Sequence, residues 1–365
     1  MASRASHTSD EQRLLLMGCG GVGGVIASGL LRAGYDLTVI THNEKICRAI
    51  NAHGLRITTP DGQWTIPTSA YTYLDEIEGP FDAVYLTMKG TGVEQAARDV
   101  ESYLAPQGYV ITFQNGVVED RVSAILGRGR VIGALVGWGA TMHAPGVYEM
   151  TSHGEIIVGE LDGQLTPRVD RLKATLEAVG PTTASTNIYG TLWSKLTLNC
   201  ATSAAGAVTG QLLGEMLRRK AVRRLALAIT SEVVDVAEAH GISLEPVGGT
   251  LDVRHLYLPP ERRAGGVGLD LVFKHAIMLA VGFKYRHLKS SMLQSIERGR
   301  RAEIDFLNGY VVERGQEKGV PTPVNAALTA MVQEVEAGTR QISPDNLEEL
   351  LAVIKLPQLV SPLGD

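Results

Sequence analysis

Cysteine is scarce in this chain of 365 residues, and its three copies are scattered. Cys19, Cys47 and Cys200 are too few and too far apart for a disulfide framework or a zinc site. We therefore expect a protein of the reducing cytoplasm. The nine histidines show no paired ligand spacing either, so no metal ion is expected.

An excess of basic residues and long apolar runs are also missing. The 34 lysines and arginines are outnumbered by 39 aspartates and glutamates, and the net charge of −5 argues against a nucleic-acid partner. No apolar run reaches the roughly 20 residues of a membrane helix. Residues 1–10 lack the apolar core of a signal peptide, so we expect a disordered tail there and no membrane partner.

The strongest motif is a glycine-rich turn between a short apolar strand at 13–17 and a helical pattern that ends at Gly34. In a dinucleotide-binding fold, Gly18 makes the tight turn, Gly20 lets the backbone approach the pyrophosphate, and Gly23 allows close helix packing. The alternative is a purely structural turn. The context predicts a cofactor site with helix N–H groups facing the phosphates, made by Gly18, Cys19, Gly20, Gly21, Val22 and Gly23.

The residues after the second predicted strand, 37–40, favour NADP(H) over NAD(H). NAD-specific folds usually place an acidic residue here, against the 2′-hydroxyl of the adenosine ribose. This chain begins the segment with small polar and basic residues, namely Thr41, His42, Asn43, Lys45 and Arg48. Glu44 could still reach the ribose, and the two basic side chains could be ordinary solvated helix positions.

Strands alternate with helices as far as about residue 186, which predicts a doubly wound parallel sheet. The expected elements are strands at 82–87, 109–113 and 131–136, a helix at 93–104, and a hairpin that turns at Pro60-Asp-Gly62. Ligands bind beyond the carboxyl ends of such strands, so Lys89 and Asn115 are expected to contact the cofactor. A lysine or an Asn-Gly pair is also ordinary turn material.

After about Thr186 the strand signals stop. Helices are expected at 188–205, 214–240, 290–318 and 323–336, and a last one is capped by Ser343. The chain is thus predicted to be α/β, with an N-terminal doubly wound Rossmann-type domain at 11–187 and an all-helical C-terminal domain at 188–365. Residues 246–289 carry seven basic and three acidic residues, so they could form a lid over an anionic substrate or a solvated excursion at an oligomer interface.

Two of these helices place polar groups among apolar neighbours. Lys195, Asn199 and Ser203 recur at four-residue steps and so share one helix face. Glu303 is expected on the apolar face of the helix at 290–318. Buried charges need partners, so these residues mark a site, unless the first three form a solvated stripe and Glu303 a structural ion pair.

Four motifs together resemble the ketopantoate reductase (2-dehydropantoate 2-reductase) family: Gly18-Cys-Gly-Gly-Val-Gly23, Gln114-Asn-Gly116, Lys195-Leu-Thr-Leu-Asn199, and Ser290-Ser-Met-Leu-Gln294 running into Glu303-Ile-Asp-Phe-Leu-Asn-Gly309. The resemblance implies an NADPH-dependent reduction of a 2-oxo acid, and we expect the chain to form a homodimer. It implies that Lys195 protonates the carbonyl oxygen and that Glu303 holds the substrate. It also implies substrate contacts by Asn115, Asn199 and Ser291, with Ser203 standing where many members have a second asparagine.

The chain departs from the family pattern at Ser203, at Ser295 and in the segment 246–289. These departures do not change the predicted reaction class, but they leave the identity of the substrate open. One alternative is a divergent dehydrogenase that acts on another hydroxy acid, an alcohol or an imine. A second alternative is a non-enzymatic NADP sensor, against which the presence of both Lys195 and Glu303 argues.

Overall fold

The computed structural model describes residues 12–247, 251–263, 265 and 268–355. By its internal contacts the chain divides into two units, Met1–Ile188 and Tyr189–Asp365. The predicted boundary between residues 187 and 188 lies one residue from this division. The tail expected at 1–10 lies outside the described residues.

Strands and helices alternate along the first unit, which is therefore an α/β domain. Its strands are β1 (Leu14–Met17), β2 (Leu37–Ile40), β3 (Leu55–Thr59), β4 (Gly62–Ile66), β5 (Ala70–Tyr71), β6 (Phe81–Leu86), β7 (Leu104–Thr112), β8 (Val131–Val136), β9 (Ala140–Ala144), β10 (Val147–Met150), β11 (Ile156–Glu160) and β12 (Thr182–Ala184). Its helices are α1 (Gly21–Arg32), α2 (Glu44–His53), α3 (Val93–Val100), α4 (Glu119–Leu126) and α5 (Pro167–Leu176).

The large sheet has the strand order β12-β11-β8-β7-β6-β1-β2-β5. The ladders from β8 to β5 are parallel, and the chain moves from β1 to β2 on one side and later to β6 on the other. The doubly wound prediction is thus confirmed. The sheet is not purely parallel, because β11 pairs antiparallel with β8. The reversal of strand order falls between β1 and β6, where ligands of such sheets bind.

The central strands owe their position to unbroken apolar runs. Every residue of β1 and of β8 is buried, and so are all but one of β6. Parallel strands covered on both faces show this pattern, whereas half-exposed strands alternate apolar and polar residues. These runs are why the sequence located β1, β2, β6 and β8 to within one residue at each end.

A second sheet has the order β4-β3-β10-β9. The predicted hairpin is confirmed, since β3 and β4 pair antiparallel around a turn at Pro60 and Asp61. Strands β9 to β12 and helices α4 and α5 were not predicted. The residues of β9 are half-buried or exposed and lack a regular apolar alternation, so they give little strand signal.

Apart from one bridge between Val247 and Leu251, all regular secondary structure among the described residues of the second unit is helical, which confirms the predicted all-helical region. Its helices are α6 (Ile188–Thr209), α7 (Leu213–Arg218), α8 (Lys220–Ala239), α9 (Pro260–Arg263), α10 (Leu269–Lys284), α11 (Ser291–Glu297), α12 (Asn308–Lys318), α13 (Pro323–Glu336) and α14 (Asn346–Lys355). The segment 246–289 thus contributes α9 and α10 to this unit.

Two of the predicted helices are broken. The helix expected at 214–240 divides at Arg219, whose backbone is extended. The helix expected at 290–318 divides after α11, where Gly299 has a φ of 64°. Left-handed backbone of this kind ends helices and favours glycine. The placement of Glu303 on a continuous helix was therefore wrong, because Glu303 lies in the link between α11 and α12.

A buried carboxyl group holds several helices of the second unit together. The Glu232 carboxyl on α8 accepts hydrogen bonds from the backbone N–H groups of Val324 (3.0 Å) and Asn325 (2.9 Å), and from the Asn325 amide (2.7 Å). Asn325 in turn accepts from Asn308, which also donates to the carbonyl of Cys200 on α6. Burial raises the pKa of Glu232 to about 7, although its N–H donors act to lower it.

Glu119 in the first unit is a buried carboxyl group that accepts fewer hydrogen bonds than Glu232 does. Thr112 donates to one of its oxygens at 2.7 Å, and the described residues offer the other oxygen no hydrogen bond. Burial raises the pKa of Glu119 to about 7 as well. Because this pKa exceeds that of an exposed glutamate, the folded chain binds the proton more tightly than the unfolded chain, and the glutamate contributes less stability as pH rises from about 4.5 to 7.

We expect the two carboxyl groups to respond differently to amide substitution. Relative to the parent, Glu119→Gln should gain unfolding free energy as pH rises from about 5 to 8, since the amide has no proton to lose. Glu232→Gln should lose about 1.5 to 3 kcal/mol at pH 8, because an NH₂ group would face backbone donors. Urea unfolding of the three proteins at both pH values measures this. A Glu119→Gln difference that is flat with pH would contradict the first expectation.

Candidate functional site

The glycine turn between β1 and α1 combines two crowded positions with one open position. Gly18 has a φ of 100°, and a Cβ there would lie 2.6 Å from the backbone nitrogen of Met88. At Gly23 a Cβ would lie 2.1 Å from the carbonyl oxygen of Gly18. At Gly20 nothing lies within 4 Å of an added Cβ. The backbone is therefore open to a ligand at Gly20, where the sequence placed the pyrophosphate.

Two side chains, one just after β6 and one in β10, fix this turn. Thr87, which follows β6, donates to the carbonyl of Gly18 at 2.7 Å, and Tyr148 of β10 donates to the carbonyl of Cys19 at 3.0 Å. The Cys19 thiol is itself buried, and burial raises its pKa to about 12. Of the predicted cofactor residues, Cys19 can therefore offer a ligand its backbone and not its side chain. Gly20 caps α1 without a side-chain hydrogen bond, which suits an anion at the helix N-terminus.

Lys89 and Asn115 follow β6 and β7, on the edge that the turn shares. The Gln114 amide joins their two loops, because its nitrogen donates to the carbonyls of Leu86 (2.9 Å) and Met88 (3.0 Å). The Lys89 side chain is exposed and Asn115 is half-buried. The sequence placed Gln114 only within a motif. Its bridging role depends on two strands adjacent in space, which local pattern does not reveal.

The loop after β2 also has a structural role, because one of its side chains caps α2. Thr41 is buried, while His42 and Asn43 are exposed. The Asn43 side chain caps α2 by accepting from the backbone nitrogens of Lys45 (3.0 Å) and Ile46 (3.3 Å).

Glu44 forms an exposed ion pair with Arg48, at 3.1 Å between Oε2 and Nη2. This pairing offsets the negative charge that an adenosine 2′-phosphate would meet at the end of β2. His42, Lys45 and the amide nitrogen of Asn43 are exposed groups with donor capacity in this loop.

Helix α6 carries the polar stripe predicted from four-residue spacing. Lys195 and Asn199 are half-buried and Ser203 is buried, while Trp193, Leu196 and Cys200 pack in the core. Burial lowers the pKa of the Lys195 ammonium to about 8, and the Glu303 carboxylate acts in the opposite direction. The stripe is therefore not a solvated outer face.

The structure brings Glu303 into the electrostatic range of Lys195 although Glu303 is not helical. Its side chain is 6% exposed. The link that holds it is fixed by the backbone nitrogens of Arg300, which donates to the Ser295 carbonyl at 2.9 Å, and of Ala302, which donates to Glu336. A carboxylate and an ammonium in partly desolvated surroundings favour each other's charged forms.

The start of α11 lies against the other end of the stripe. The Ser290 hydroxyl donates to the carbonyl of Ser203 at 2.6 Å and accepts from the backbone nitrogen of Leu293, so it caps α11. The packing is close, since a Cβ on Gly206 would lie 2.7 Å from the Ser290 Cβ. Ser291 is exposed beside this contact. The anchoring role of Ser290 was missed, because a cap and its distant acceptor are not visible in spacing.

Within the part of the chain that the structure describes, no three histidine, cysteine or acidic residues could hold a metal ion together. No helix among the described residues is long and apolar enough to span a bilayer.

Two sequence models of one family match most of the chain. Ketopantoate reductase PanE/ApbA matches residues 14–163, and ketopantoate reductase PanE/ApbA C terminal matches residues 187–336. A 2-dehydropantoate 2-reductase of Archaeoglobus fulgidus is 27% identical over 90% of this chain and 99% of its own length. The chain belongs to the ketopantoate reductase family.

Solved structures agree on the fold. A PanE/ApbA family ketopantoate reductase from Ralstonia eutropha JMP134 superimposes with a TM-score of 0.75 at 29% identity, covering 90% of this chain and 99% of that one. A D-mandelate dehydrogenase with NADH and anilino(oxo)acetate has the same TM-score of 0.75 at 20% identity, covering 90% and 99%. At 20% identity the likeness concerns the fold alone.

The glycine turn generates a test with an internal control. If the turn holds the pyrophosphate of a nicotinamide cofactor, Gly20→Ala should be as stable as the parent, since its Cβ meets nothing, yet bind that cofactor at least tenfold more weakly, a loss of about 1.4 kcal/mol. Gly23→Ala should instead lose about 1 to 3 kcal/mol of stability through overpacking. Thermal unfolding and fluorescence titration with NADPH measure the two effects. Unchanged NADPH affinity in Gly20→Ala would place the dinucleotide elsewhere.

Proposed function

We propose that the chain is an NADPH-dependent reductase of a 2-oxo acid, and that its substrate is 2-dehydropantoate, reduced to pantoate. Family membership supports an oxidoreductase that acts on a 2-oxo or 2-hydroxy acid. The observation that carries the finer proposal is that a carboxylate acts electrostatically on a lysine in partly desolvated surroundings, Glu303 in the link before α12 on Lys195 of α6.

Lys195 is the proposed proton donor. Reduced nicotinamide, when bound, supplies a hydride to the carbonyl carbon of the substrate. The carbonyl oxygen then gathers negative charge, and an ammonium within hydrogen-bond reach stabilises that charge and delivers the proton. Glu303 opposes the effect of burial on Lys195 and so keeps the donor protonated near neutral pH. Its carboxylate is also the proposed acceptor for the substrate hydroxyl group.

The remaining polar residues have proposed binding roles. Asn199, Ser203 and Ser291 lie along and beside the stripe on α6 and offer amide and hydroxyl groups to the substrate. Asn115 is proposed to contact the nicotinamide end of the cofactor or the substrate. The glycine turn, with open space at Gly20, is the proposed pyrophosphate site.

NADPH should bind more tightly than NADH. The end of β2 offers His42 and Lys45, and Glu44 is paired with Arg48, so a 2′-phosphate meets donors and a cation. Lys45→Ala should weaken NADPH by roughly two- to fivefold, the effect of an exposed ion pair, and leave NADH unchanged. Fluorescence titrations with both cofactors at two salt concentrations test this. Equal dissociation constants for the two cofactors in the parent would refute the preference.

Lys195→Ala should lower turnover of the 2-oxo acid by roughly 10²- to 10⁴-fold with little change in NADPH affinity. If Lys195 is the acid, kcat/KM of the parent should fall as pH rises through about 8, because the donor loses its proton there. Glu303→Gln should move this decline to lower pH, since it removes the charge that favours the ammonium. A loss below about threefold in Lys195→Ala would exclude it as donor.

A related hydroxy-acid dehydrogenase is the second candidate. Its support is the departure from the family pattern at Ser203 and Ser295, together with the fold shared with D-mandelate dehydrogenase. The deciding experiment is an NADPH oxidation assay with a panel of branched, aromatic and linear 2-oxo acids. Preference for 2-dehydropantoate supports the main proposal, preference for another acid supports the second, and binding without turnover indicates an NADP sensor.

A further inference from the structure

The loop between β7 and α4 is closed at its base by a hydrogen bond between two buried side chains. Thr112 is the last residue of β7, and Glu119 is the first residue of α4. Their exposed fractions are 0% and 2%, and Thr112 Oγ1 lies 2.7 Å from Glu119 Oε1. A single side-chain bond therefore joins the two ends of the loop, residues 113–118.

This loop presents one side chain and packs the others. Every residue from 113 to 118 is buried except Asn115, which is half-buried. The backbone turns directly after it, because Gly116 has a φ of 94°. Asn115 is proposed above to contact the cofactor or the substrate. The position of the loop thus sets the position of a binding group.

The geometry around Thr112 favours a neutral Glu119. The Thr112 hydroxyl has one hydrogen, yet its oxygen lies 2.7 Å from Glu119 Oε1 and 3.3 Å from the carbonyl oxygen of Ile132 on β8. A carboxylate takes that hydrogen for itself. A protonated carboxyl group can instead donate its own hydrogen to Thr112, so that Thr112 donates to Ile132. The neutral form thus makes two hydrogen bonds where the ionised form makes one.

Burial acts in the same direction. The second oxygen of Glu119 has no hydrogen-bond partner among the described residues, which costs more for a carboxylate than for a neutral acid. The N-terminus of α4 favours a negative charge. Burial outweighs that effect, since it raises the pKa of Glu119 to about 7. The carboxyl group therefore ionises close to neutral pH, and its ionised form fits the site poorly.

The charged neighbours support the neutral form. Helix α4 packs on α3, on β8 and on the turn Arg128–Arg130. The charged side chains of these elements and of α4 itself are Glu94, Arg98, Asp99, Asp120, Arg121, Arg128 and Arg130. Among them Asp120 has the strongest effect on Glu119, and its negative charge disfavours a second one beside it.

We propose that Glu119 is a positioning residue for Asn115, and that its neutral form, bonded to Thr112, holds the loop 113–118 in place. When Glu119 is ionised, its free oxygen can be solvated only if the start of α4 moves. The loop is then less protected, and Asn115 is held less firmly. The effect on ligands rests on the proposed function of Asn115, whereas the effect on the loop does not.

The first test is hydrogen exchange of the loop amides, measured by mass spectrometry and corrected for the intrinsic effect of pH. In the parent, protection of residues 113–118 should fall roughly threefold to tenfold between about pH 6 and about pH 8, the effect of losing one hydrogen bond. Glu119→Gln should stay protected at both pH values, because its NH₂ group can donate to Thr112 as the neutral acid does. Glu119→Ala should be poorly protected at both.

Two further variants separate this bond from a general loss of stability. Thr112→Val removes the hydroxyl group and keeps the shape, so it should match Glu119→Ala and replaces that variant if it folds poorly. Glu232→Gln is the matched control, because burial also raises the pKa of Glu232 to about 7 but Glu232 lies in the second unit. It should leave the pH dependence of the loop unchanged. Parent protection that is constant with pH, or Glu119→Gln that behaves as Glu119→Ala does, overturns the proposal.

The second test asks whether the loop acts on ligands through Asn115. At about pH 6.5, Glu119→Ala should weaken NADPH binding at least about threefold, and Glu119→Gln less than about twofold. In an Asn115→Ala background, Glu119→Ala should have no further effect, because the positioned side chain is already gone. Equal weakening with and without Asn115 would overturn the positioning role. A parent that binds no NADPH contradicts the proposed function instead, and hydrogen exchange then decides the proposal alone.

Discussion

The cost of taking charged groups out of water governs the second unit. Lys195 on α6 is tolerated in its partly desolvated position because the Glu303 carboxylate opposes the loss of its proton. Glu232 is tolerated because the first backbone N–H groups of α13 point at its oxygens. Both requirements fix the position of chain segments that are distant in sequence. Pairing of buried charge thus sets the helix arrangement and the chemistry of the stripe together.

The first unit follows a different constraint, the need for close backbone approach. Gly18 and Gly23 leave no room for a side chain, so β1, α1 and the loop after β6 meet at one point. The apolar strands on each side hold that point rigid. The same closeness frees the backbone at Gly20 for a ligand. A dinucleotide-binding turn needs both features: close packing of the backbone at Gly18 and Gly23, and open space beside the backbone at Gly20.

The parts of this architecture that follow from local pattern were visible in the sequence. Apolar runs located β1, β2 and β8, and four-residue spacing placed Lys195, Asn199 and Ser203 on one helix face. The break after α11 was missed, because helical periodicity runs on through Gly299 and only its left-handed backbone ends the helix. Gln114 and Ser290 were missed as anchors since their acceptors belong to other elements.

The segment 246–289 shows how the choice of property decides an interpretation. The excess of basic residues in this segment suits a lid and an interface equally well. The helical periodicity of its apolar residues shows that α10 has two apolar sides, one packed on α7 and one exposed. Several of its basic side chains are paired locally, as Arg262 and Lys274 are with Asp270. These ion pairs engage part of the basic charge, so the exposed apolar side of α10 is the feature of the segment that a count of charges overlooks.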